Sequence, residues 1–171
     1  MIKNFFISSL PSSGKTTLLM EIIKELKLNA GGFYTSEIRE KGIRKGFKII
    51  TLDGEEGILA HVNVKSPYQV SKYKVNIEDL GKLGVKSILD TLNQNKVIII
   101  DEVGKAEMYS EKFKKAVSTA LDSKNKVLGV IKLTTDPLTN KIRKRKDTKI
   151  FHLTRENREG IKKKVRSFLT Q

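Results

Sequence analysis

The chain has 171 residues and a formal net charge of +15, with 38% hydrophobic residues, 31% charged residues and no cysteine. A chain of this length predicts one domain, residues 1–171, with a sizeable core. The lack of cysteine excludes disulfides and thiolate metal sites, and no apolar run reaches the roughly 18 residues of a membrane span. A cytoplasmic protein without membrane contact is therefore expected, and its positive charge favours anionic partners such as nucleotides, nucleic acid or acidic surfaces.

Predicted strands and helices alternate along most of the chain. Apolar patterning predicts strands over residues 2–8, 32–39, 43–52, 57–62, 96–102, 126–133 and 149–153. It predicts helices over residues 17–28, 77–95 and 137–146, and two more, capped by Ser110 and Thr154, that end near residues 122 and 169. Lys-Gly and Asp-Gly turns indicate a β-meander after the first helix, and residues 63–75 are expected to be irregular. This order predicts an α/β fold with a mostly parallel sheet, flanking helices and a small antiparallel meander insertion.

The sequence Gly14-Lys15-Thr16-Thr17 lies between the first predicted strand and the first predicted helix. Backbone N–H groups converge on an anion at a helix N-terminus, where the helix dipole also favours negative charge. In a phosphate-binding loop of this type, Lys15 reaches the β- and γ-phosphates of a nucleotide, and the Thr16 hydroxyl helps to hold Mg²⁺. The predicted phosphate-binding residues are therefore Ser9, Leu10, Pro11, Ser12, Ser13, Gly14, Lys15, Thr16 and Thr17.

This loop departs from the full motif, G-x-x-x-x-G-K-[ST], because Ser9 stands at the position of the first glycine. Ser12 and Ser13 also occupy a region that usually contains more glycine. Glycine is favoured there because positive φ and close approach of the backbone to a phosphate both exclude a Cβ atom. The tripeptide G-K-[ST] alone is weak evidence, since it arises by chance in about one chain in ten of this length.

A second segment, KVIIIDE at residues 96–102, is an apolar strand that ends in two carboxylates. This is the form of a Walker B strand, in which Asp101 binds a water of the Mg²⁺ shell and Glu102 orients or deprotonates an attacking water. A core strand that ends in solvated acids is the simpler interpretation of this segment alone. Because both segments occur in the expected order, about 85 residues apart, together they predict a nucleotide-binding site.

Six segments together resemble a family of small P-loop nucleoside-triphosphatases. They are GKTT at 14–17, GFYT with EIR at 32–39, RKGF at 44–47, LDG at 52–54, DEVGK at 101–105 and NR at 157–158. The family includes the thermophile nucleoside-triphosphatases and a human relative, the cancer-related nucleoside-triphosphatase, and the resemblance covers nearly the whole chain. It implies a RecA-like P-loop fold, dependence on Mg²⁺, and hydrolysis of ATP, GTP and other nucleotides to the diphosphate and phosphate. The high charge content also favours a thermophilic source.

Carried over by motif, the resemblance implies catalytic roles for Lys15, Glu102 and Lys105, and metal binding by Thr16 and Asp101.

Family members usually have glycine at the positions of Ser9 and Ser12 and methionine at the position of Ala106. The resemblance therefore implies that phosphate affinity and turnover are reduced in this chain.

Lys105 follows the flexible Gly104, where an ammonium group could meet the charge that develops on the γ-phosphate. A surface ion pair with Glu107 or Glu111 is the alternative interpretation of this lysine.

Several other polar residues keep two interpretations at this stage. Arg39 and Arg44 either face the nucleotide or only solvate the meander. The pair at residues 157–158 either faces the nucleotide or caps the last helix. His61 and His152 lie in apolar strands without a second ligand at useful spacing, so structural roles are expected for both.

The combined expectation is a Mg²⁺-dependent nucleoside-triphosphatase with broad base preference, acting as a monomer or weak oligomer. Its alternatives are a nucleoside or nucleotide kinase, with the basic helix 137–146 as a lid, and a nucleic-acid-binding protein with a regulatory nucleotide site. Nucleic acid is the less favoured partner, because a chain with 6% aromatic residues and no tryptophan offers little stacking surface.

Overall fold

The computed structural model describes residues 1–10 and 13–171; Pro11 and Ser12, two of the predicted phosphate-binding residues, lie outside them. The strands are β1 Asn4–Ser8, β2 Ala30–Glu40, β3 Ile43–Thr51, β4 Glu56–His61, β5 Gln69–Val70, β6 Tyr73–Val75, β7 Val97–Val103, β8 Val127–Ile131 and β9 Thr148–His152. The helices are α1 Lys15–Glu25, α2 Ile77–Asp79, α3 Lys86–Thr91, α4 Glu111–Asp122, α5 Pro137–Lys144 and α6 Arg158–Thr170. A π-helix over Leu80–Val85 joins α2 to α3, and a 3-10 helix covers Glu107–Tyr109.

In the described part of the chain, these strands form one sheet in the order β5-β6-β4-β3-β2-β7-β8-β1-β9. The pairs from β2 through β7, β8 and β1 to β9 are all parallel. Strand β8 thus separates β1, which leads into the phosphate loop, from β7, which carries the two acids. The predicted α/β P-loop fold, with its mostly parallel sheet and flanking helices, is confirmed.

The meander extends the same sheet beyond β2. Strands β3, β4, β6 and β5 follow one another in antiparallel pairs. Residues 63–75 contain β5 and β6, so the expectation that this segment is irregular was wrong. Strands of two and three residues are too short for an alternating pattern to be recognised.

Both faces of the parallel strands are covered. Successive residues of β1 enter opposite cores, because side chains alternate between the two faces of a strand. Phe6 packs in the core that includes residues of α3 and α4, whereas Phe5 and Ile7 pack in the core that includes residues of α1 and α6. Burial on two sides explains why these strands are continuous apolar runs.

The helix caps confirm one sequence expectation and correct another. The Ser110 hydroxyl accepts a hydrogen bond from the Phe113 amide, and Asp136 begins α5 as its N-cap. The predicted cap at Thr154 was wrong, since α6 begins at Arg158 after the N-cap Asn157. Thr154 and Asn157 instead exchange hydrogen bonds of 2.7 and 3.2 Å within the preceding turn.

The predicted helix over residues 77–95 is helical only as far as Thr91, and its middle turns are π-helical rather than α-helical. Both glycines of the segment, Gly81 and Gly84, lie in that π-helix. Across residues 1–10 and 13–171, no helix combines the length and the apolar character that a membrane crossing requires.

Candidate functional site

The phosphate loop connects the carboxyl end of β1 to the first turn of α1. Gly14 is the N-cap of α1 and has φ of 81°, a left-handed conformation that favours glycine. Lys15 opens the helix, and its ammonium group donates to the carbonyl oxygens of Ser9 and Leu10, at 3.3 Å each. Burial lowers the pKa of Lys15, and the negative charge of Glu102 opposes that shift. The Lys15 side chain therefore lies against the loop that is predicted to bind phosphate.

Ser9 fits this loop without a left-handed backbone. Among the described residues, the non-glycine residues with positive φ are Lys27, Lys41, Ser71 and Asn93. Ser9 is 3% exposed, and its hydroxyl contacts the Ser13 hydroxyl and donates to the Leu10 carbonyl at 3.1 Å. Backbone strain at Ser9 therefore gives no reason to expect a weakened site, although the effect of the serines on activity stays a prediction.

Thr16 and Asp101 meet across the site. The Thr16 hydroxyl donates to Oδ2 of Asp101 at 2.6 Å, which joins the start of α1 to strand β7. Asp101 is only 1% exposed. Burial raises the pKa of Asp101 to about 7, the hydrogen bond from Thr16 opposes that shift, and the charge of Glu102 adds to it. The two predicted metal residues are thus direct neighbours, although 85 positions separate them in the chain.

The oxygen donors of Thr16 and Asp101 are compatible with Mg²⁺. Within residues 1–10 and 13–171, no three His, Cys, Asp or Glu side chains form a group that could hold a metal ion. Mg²⁺ does not need such a cage, because it retains several waters and is usually held by one or two protein oxygens together with substrate phosphates. The hydroxyl of Thr16 and the carboxylate of Asp101 are oxygen donors of that type.

Glu102 has a cationic partner that the sequence analysis missed. Its Oε1 lies 3.2 Å from Nζ of Lys132, the first residue after β8. The sequence analysis placed Lys132 within a predicted strand over residues 126–133, but β8 ends at Ile131. Lys132 therefore lies at the carboxyl edge of the sheet, where ligands of α/β folds bind.

Glu107 is a second residue that was missed as part of the site. It is 2% exposed, lines the cleft, and accepts a hydrogen bond from the Gly104 amide at 3.1 Å. Burial raises the pKa of Glu107 to about 8, and the charge of Glu102 adds to the shift. Glu102 and Glu107 lie on either side of Gly104, since a Cβ atom there would be 3.1 Å from Oε1 of Glu102 and 3.2 Å from Oε2 of Glu107.

Lys105 does not join this group. It is exposed and is not among the residues that line the cleft. The alternative ion pairs are not formed in the described structure either, since Glu107 is buried and Glu111 pairs with Lys114 at 2.8 Å. Ala106 does line the cleft.

The cleft has a volume of about 680 Å³, and the meander supplies its far wall. In that wall, Arg44 donates to the Tyr73 hydroxyl at 2.9 Å and to Glu37 at 3.1 Å. Its guanidinium carbon lies 5.2 Å from the ring centroid of Phe47. Arg39 pairs with the same Glu37 at 2.8 Å. Both arginines therefore line the cleft while they also hold the meander together.

Arg158 lies beside the phosphate loop at the opposite side of the site. A Cβ atom on Gly14 would lie 3.8 Å from Nη1 of Arg158, and Nη2 of Arg158 pairs with Glu21 at 2.9 Å. The two histidines have local contacts of structural type: Nδ1 of His61 accepts from a nearby amide, and Nδ1 of His152 lies 3.4 Å from the Ser8 hydroxyl.

Known proteins resemble this chain in sequence and in fold. The nucleoside-triphosphatase THEP1 of Thermotoga sp. strain RQ2 is 48% identical, over 95% of this chain and 93% of the relative. The crystal structure of THEP1 from the hyperthermophile Aquifex aeolicus superposes with a TM-score of 0.89 at 32% identity, covering 98% of this chain and 99% of the other. The solution structure of a human cancer-related nucleoside triphosphatase superposes with a TM-score of 0.83 at 32% identity, covering 96% of each chain. A sequence model of the NTPase family matches residues 4–166. The chain therefore belongs to the NTPase family.

Proposed function

We propose that this protein hydrolyses nucleoside triphosphates to nucleoside diphosphate and phosphate, with Mg²⁺ and with broad base preference. The observation that carries the proposal is the contact between Thr16 and Asp101, 2.6 Å across the cleft, with Lys15 and Glu102 lining the same space. The relatives' names, nucleoside-triphosphatase, support the same activity.

The reaction needs binding of the triphosphate, a positioned water and a proton acceptor. Amides at the start of α1 and the ammonium group of Lys15 bind the phosphates, because both present positive charge at the end of a helix. Glu102 orients a water for in-line attack on the γ-phosphorus and accepts its proton. The oxygen–phosphorus bond to the leaving diphosphate breaks as the bond from water forms.

Thr16 and Asp101 would hold Mg²⁺. When bound, the ion neutralises charge on the β- and γ-phosphate oxygens. The fit rests on two adjacent hard oxygen donors, one of them buried and already hydrogen-bonded. Broad base preference is expected because the recognised motifs, GKTT at 14–17 and DE at 101–102, address phosphate and metal, and neither specifies a base edge.

The test is release of inorganic phosphate from a panel of purine and pyrimidine nucleoside triphosphates, with and without Mg²⁺. We expect release from several triphosphates that requires the ion and needs no added acceptor. Added nucleosides or nucleoside monophosphates should not accelerate loss of the triphosphate. Phosphoryl transfer to such an acceptor without free phosphate would instead support the kinase alternative and would contradict the proposal.

The nucleic-acid alternative has weaker structural support. The basic end of the chain is partly neutralised within the molecule, because Lys162 pairs with Glu25 at 2.6 Å and Arg166 pairs with the same carboxylate at 2.6 Å. These residues of α6 therefore hold α1 rather than forming a wholly free basic surface. RNA added to the phosphate assay should leave the rate unchanged; strong, salt-dependent activation by RNA would favour the alternative.

A further inference from the structure

The backbone of Lys132 is fixed at the centre of the catalytic edge of the sheet. Lys132 follows β8, the strand between β1 and β7, so it emerges between the phosphate loop and the two acids. Its amide donates to the carbonyl of Val103 at 3.1 Å, and its carbonyl accepts from Nη2 of Arg143 at 3.0 Å. These two hydrogen bonds fix the backbone from which the Lys132 side chain enters the cleft.

The Lys132 side chain is 38% exposed and lines the same cleft as Lys15. Its ammonium group lies 3.2 Å from Oε1 of Glu102. Two ammonium groups, those of Lys15 and Lys132, therefore line one cleft together with the carboxylate of Glu102. Two cations placed in this way suit the oxygens of a polyphosphate.

We propose that Lys132 is a catalytic residue that leaves Glu102 and binds the γ-phosphate oxygens when a nucleoside triphosphate enters the cleft. The proposal rests on the proposed function and assigns to Lys132 the role that sequence analysis gave to Lys105. This role links binding of the γ-phosphate to release of Glu102. The ammonium group that binds the γ-phosphate is the one that neutralises Glu102 in the free protein, so arrival of the γ-phosphate releases the carboxylate to accept a proton from water.

A purely structural role for Lys132 makes a different prediction. If Lys132 only held Glu102 in place, its removal would slow turnover but would leave the protein's preference between triphosphate and diphosphate unchanged. A contact to the γ-phosphate exists only in the triphosphate complex. The ratio of the two affinities therefore separates the two roles.

The experiment compares parent, Lys132→Met and Lys132→Arg by calorimetric titration with the Mg²⁺ complexes of ADP and of the β,γ-imido analogue of ATP. For Lys132→Met we expect affinity for the analogue to fall about 10-fold or more and affinity for ADP to change less than about 3-fold. Phosphate release should fall on the order of 10²-fold, and Lys132→Arg should restore part of both losses. Lys112→Met, on the exposed face of α4, is the matched control and should behave as the parent.

The proposal is overturned if Lys132→Met keeps the parent's ratio of affinities for the analogue and for ADP, whether both affinities are unchanged or both fall equally. Because binding of the analogue needs no hydrolysis, this ratio can be measured even if the parent releases no phosphate. Inactivity of the parent would then reject the proposed function while the ratio still decides the role of Lys132. A thermal melt of each variant confirms folding, and Lys132→Gln replaces Lys132→Met if the methionine variant does not fold.

Discussion

Residues in the parallel half of the sheet are more deeply buried than residues in the antiparallel half. Every residue of β1 and β8 is buried, whereas β3 has three buried residues among its nine. Helices cover both faces of the parallel strands. The carboxyl ends of these strands carry the phosphate loop, the two acids and Lys132. The meander supplies the opposite wall of the cleft. The candidate catalytic groups thus project from heavily buried strands, where close packing makes small displacements costly.

The largest effect should come from Lys15→Ala in the parallel half. Removing the ammonium group deletes a charge-assisted contact to the β- and γ-phosphates, so phosphate release should fall about 10³-fold and nucleotide binding should weaken. The measurement is steady-state release of phosphate from ATP. Lys45→Ala makes the same change in β3, on the meander, and should retain the parental rate. A parental rate in Lys15→Ala would remove the phosphate-loop assignment.

Glu102→Gln should have the next largest effect. The amide keeps the size and one acceptor oxygen but loses basicity, so turnover should fall on the order of 10²-fold while Mg²⁺–nucleotide still binds. Single-turnover kinetics and a binding titration measure the two properties separately. Asp101→Asn should instead raise the Mg²⁺ concentration that is required. The division of roles between the two acids fails if both variants lose only binding.

Two glycine substitutions compare packing in the two halves. In Gly129→Ala, within β8, the new Cβ would lie 2.6 Å from a Phe6 ring carbon and 2.8 Å from the Ile100 carbonyl oxygen. Overpacking of this kind should lower the free energy of unfolding by about 1–3 kcal/mol. In Gly42→Ala, at the β2–β3 turn, no atom lies within 4 Å and only the positive φ of 78° is unfavourable, so roughly 1 kcal/mol is expected.

Urea denaturation of both glycine variants measures these free energies. An equal or larger loss in Gly42→Ala would show that the meander turn is as constrained as the central strand.

Two acids face the cleft from the two halves, and each should change how the free energy of unfolding depends on pH. The pKa of Glu107 is raised to about 8, chiefly by burial, so its contribution to the free energy of unfolding is complete below about pH 4.5 and is lost as pH rises toward 8. Relative to the parent, Glu107→Gln should therefore become progressively more stable between pH 5 and pH 8. Denaturation at several pH values measures the difference, and a constant difference would mean that Glu107 is ionised throughout.

Glu37 should show the opposite sign. Partial burial acts to raise its pKa, but hydrogen bonds and charges from Arg44 and Arg39 exceed that effect and lower it. Its stabilising contribution is therefore present above the ordinary pKa of a glutamate and is lost as pH falls through the lowered value. Glu37→Gln should be less stable than the parent at pH 7 and should match it in acid; a deficit that persists in acid would assign the loss to packing.

The sequence predicted those site residues whose roles depend on their neighbours in the chain. A lysine and a threonine at a helix start, and two acids at the end of an apolar strand, define their roles through immediate neighbours. The structure brings Thr16 and Asp101 together as that reasoning requires. The parallel strands were equally clear, because burial on both faces produces continuous apolar runs.

The missed residues depend on strand order and on one turn. Nothing local shows that β8 lies between β1 and β7, so the place of Lys132 beside Glu102 could not be derived from spacing. Lys105 is closer in sequence to the acids, but it is exposed. Glu107, two residues later, is buried, although the sequence presents it as an ordinary surface acid.

The position of β1 has a consequence for biosynthesis. Its two neighbours in the sheet are β8 and β9, so the residues aligned with 4–8 are 127–130 and 148–152. During synthesis from the N-terminus, the strand that precedes the phosphate loop therefore waits, without a partner, until most of the chain has been made. Contacts of such long sequence separation also slow folding. The strand that precedes the phosphate loop is thus made well before its partners and is among the last segments to reach its final surroundings.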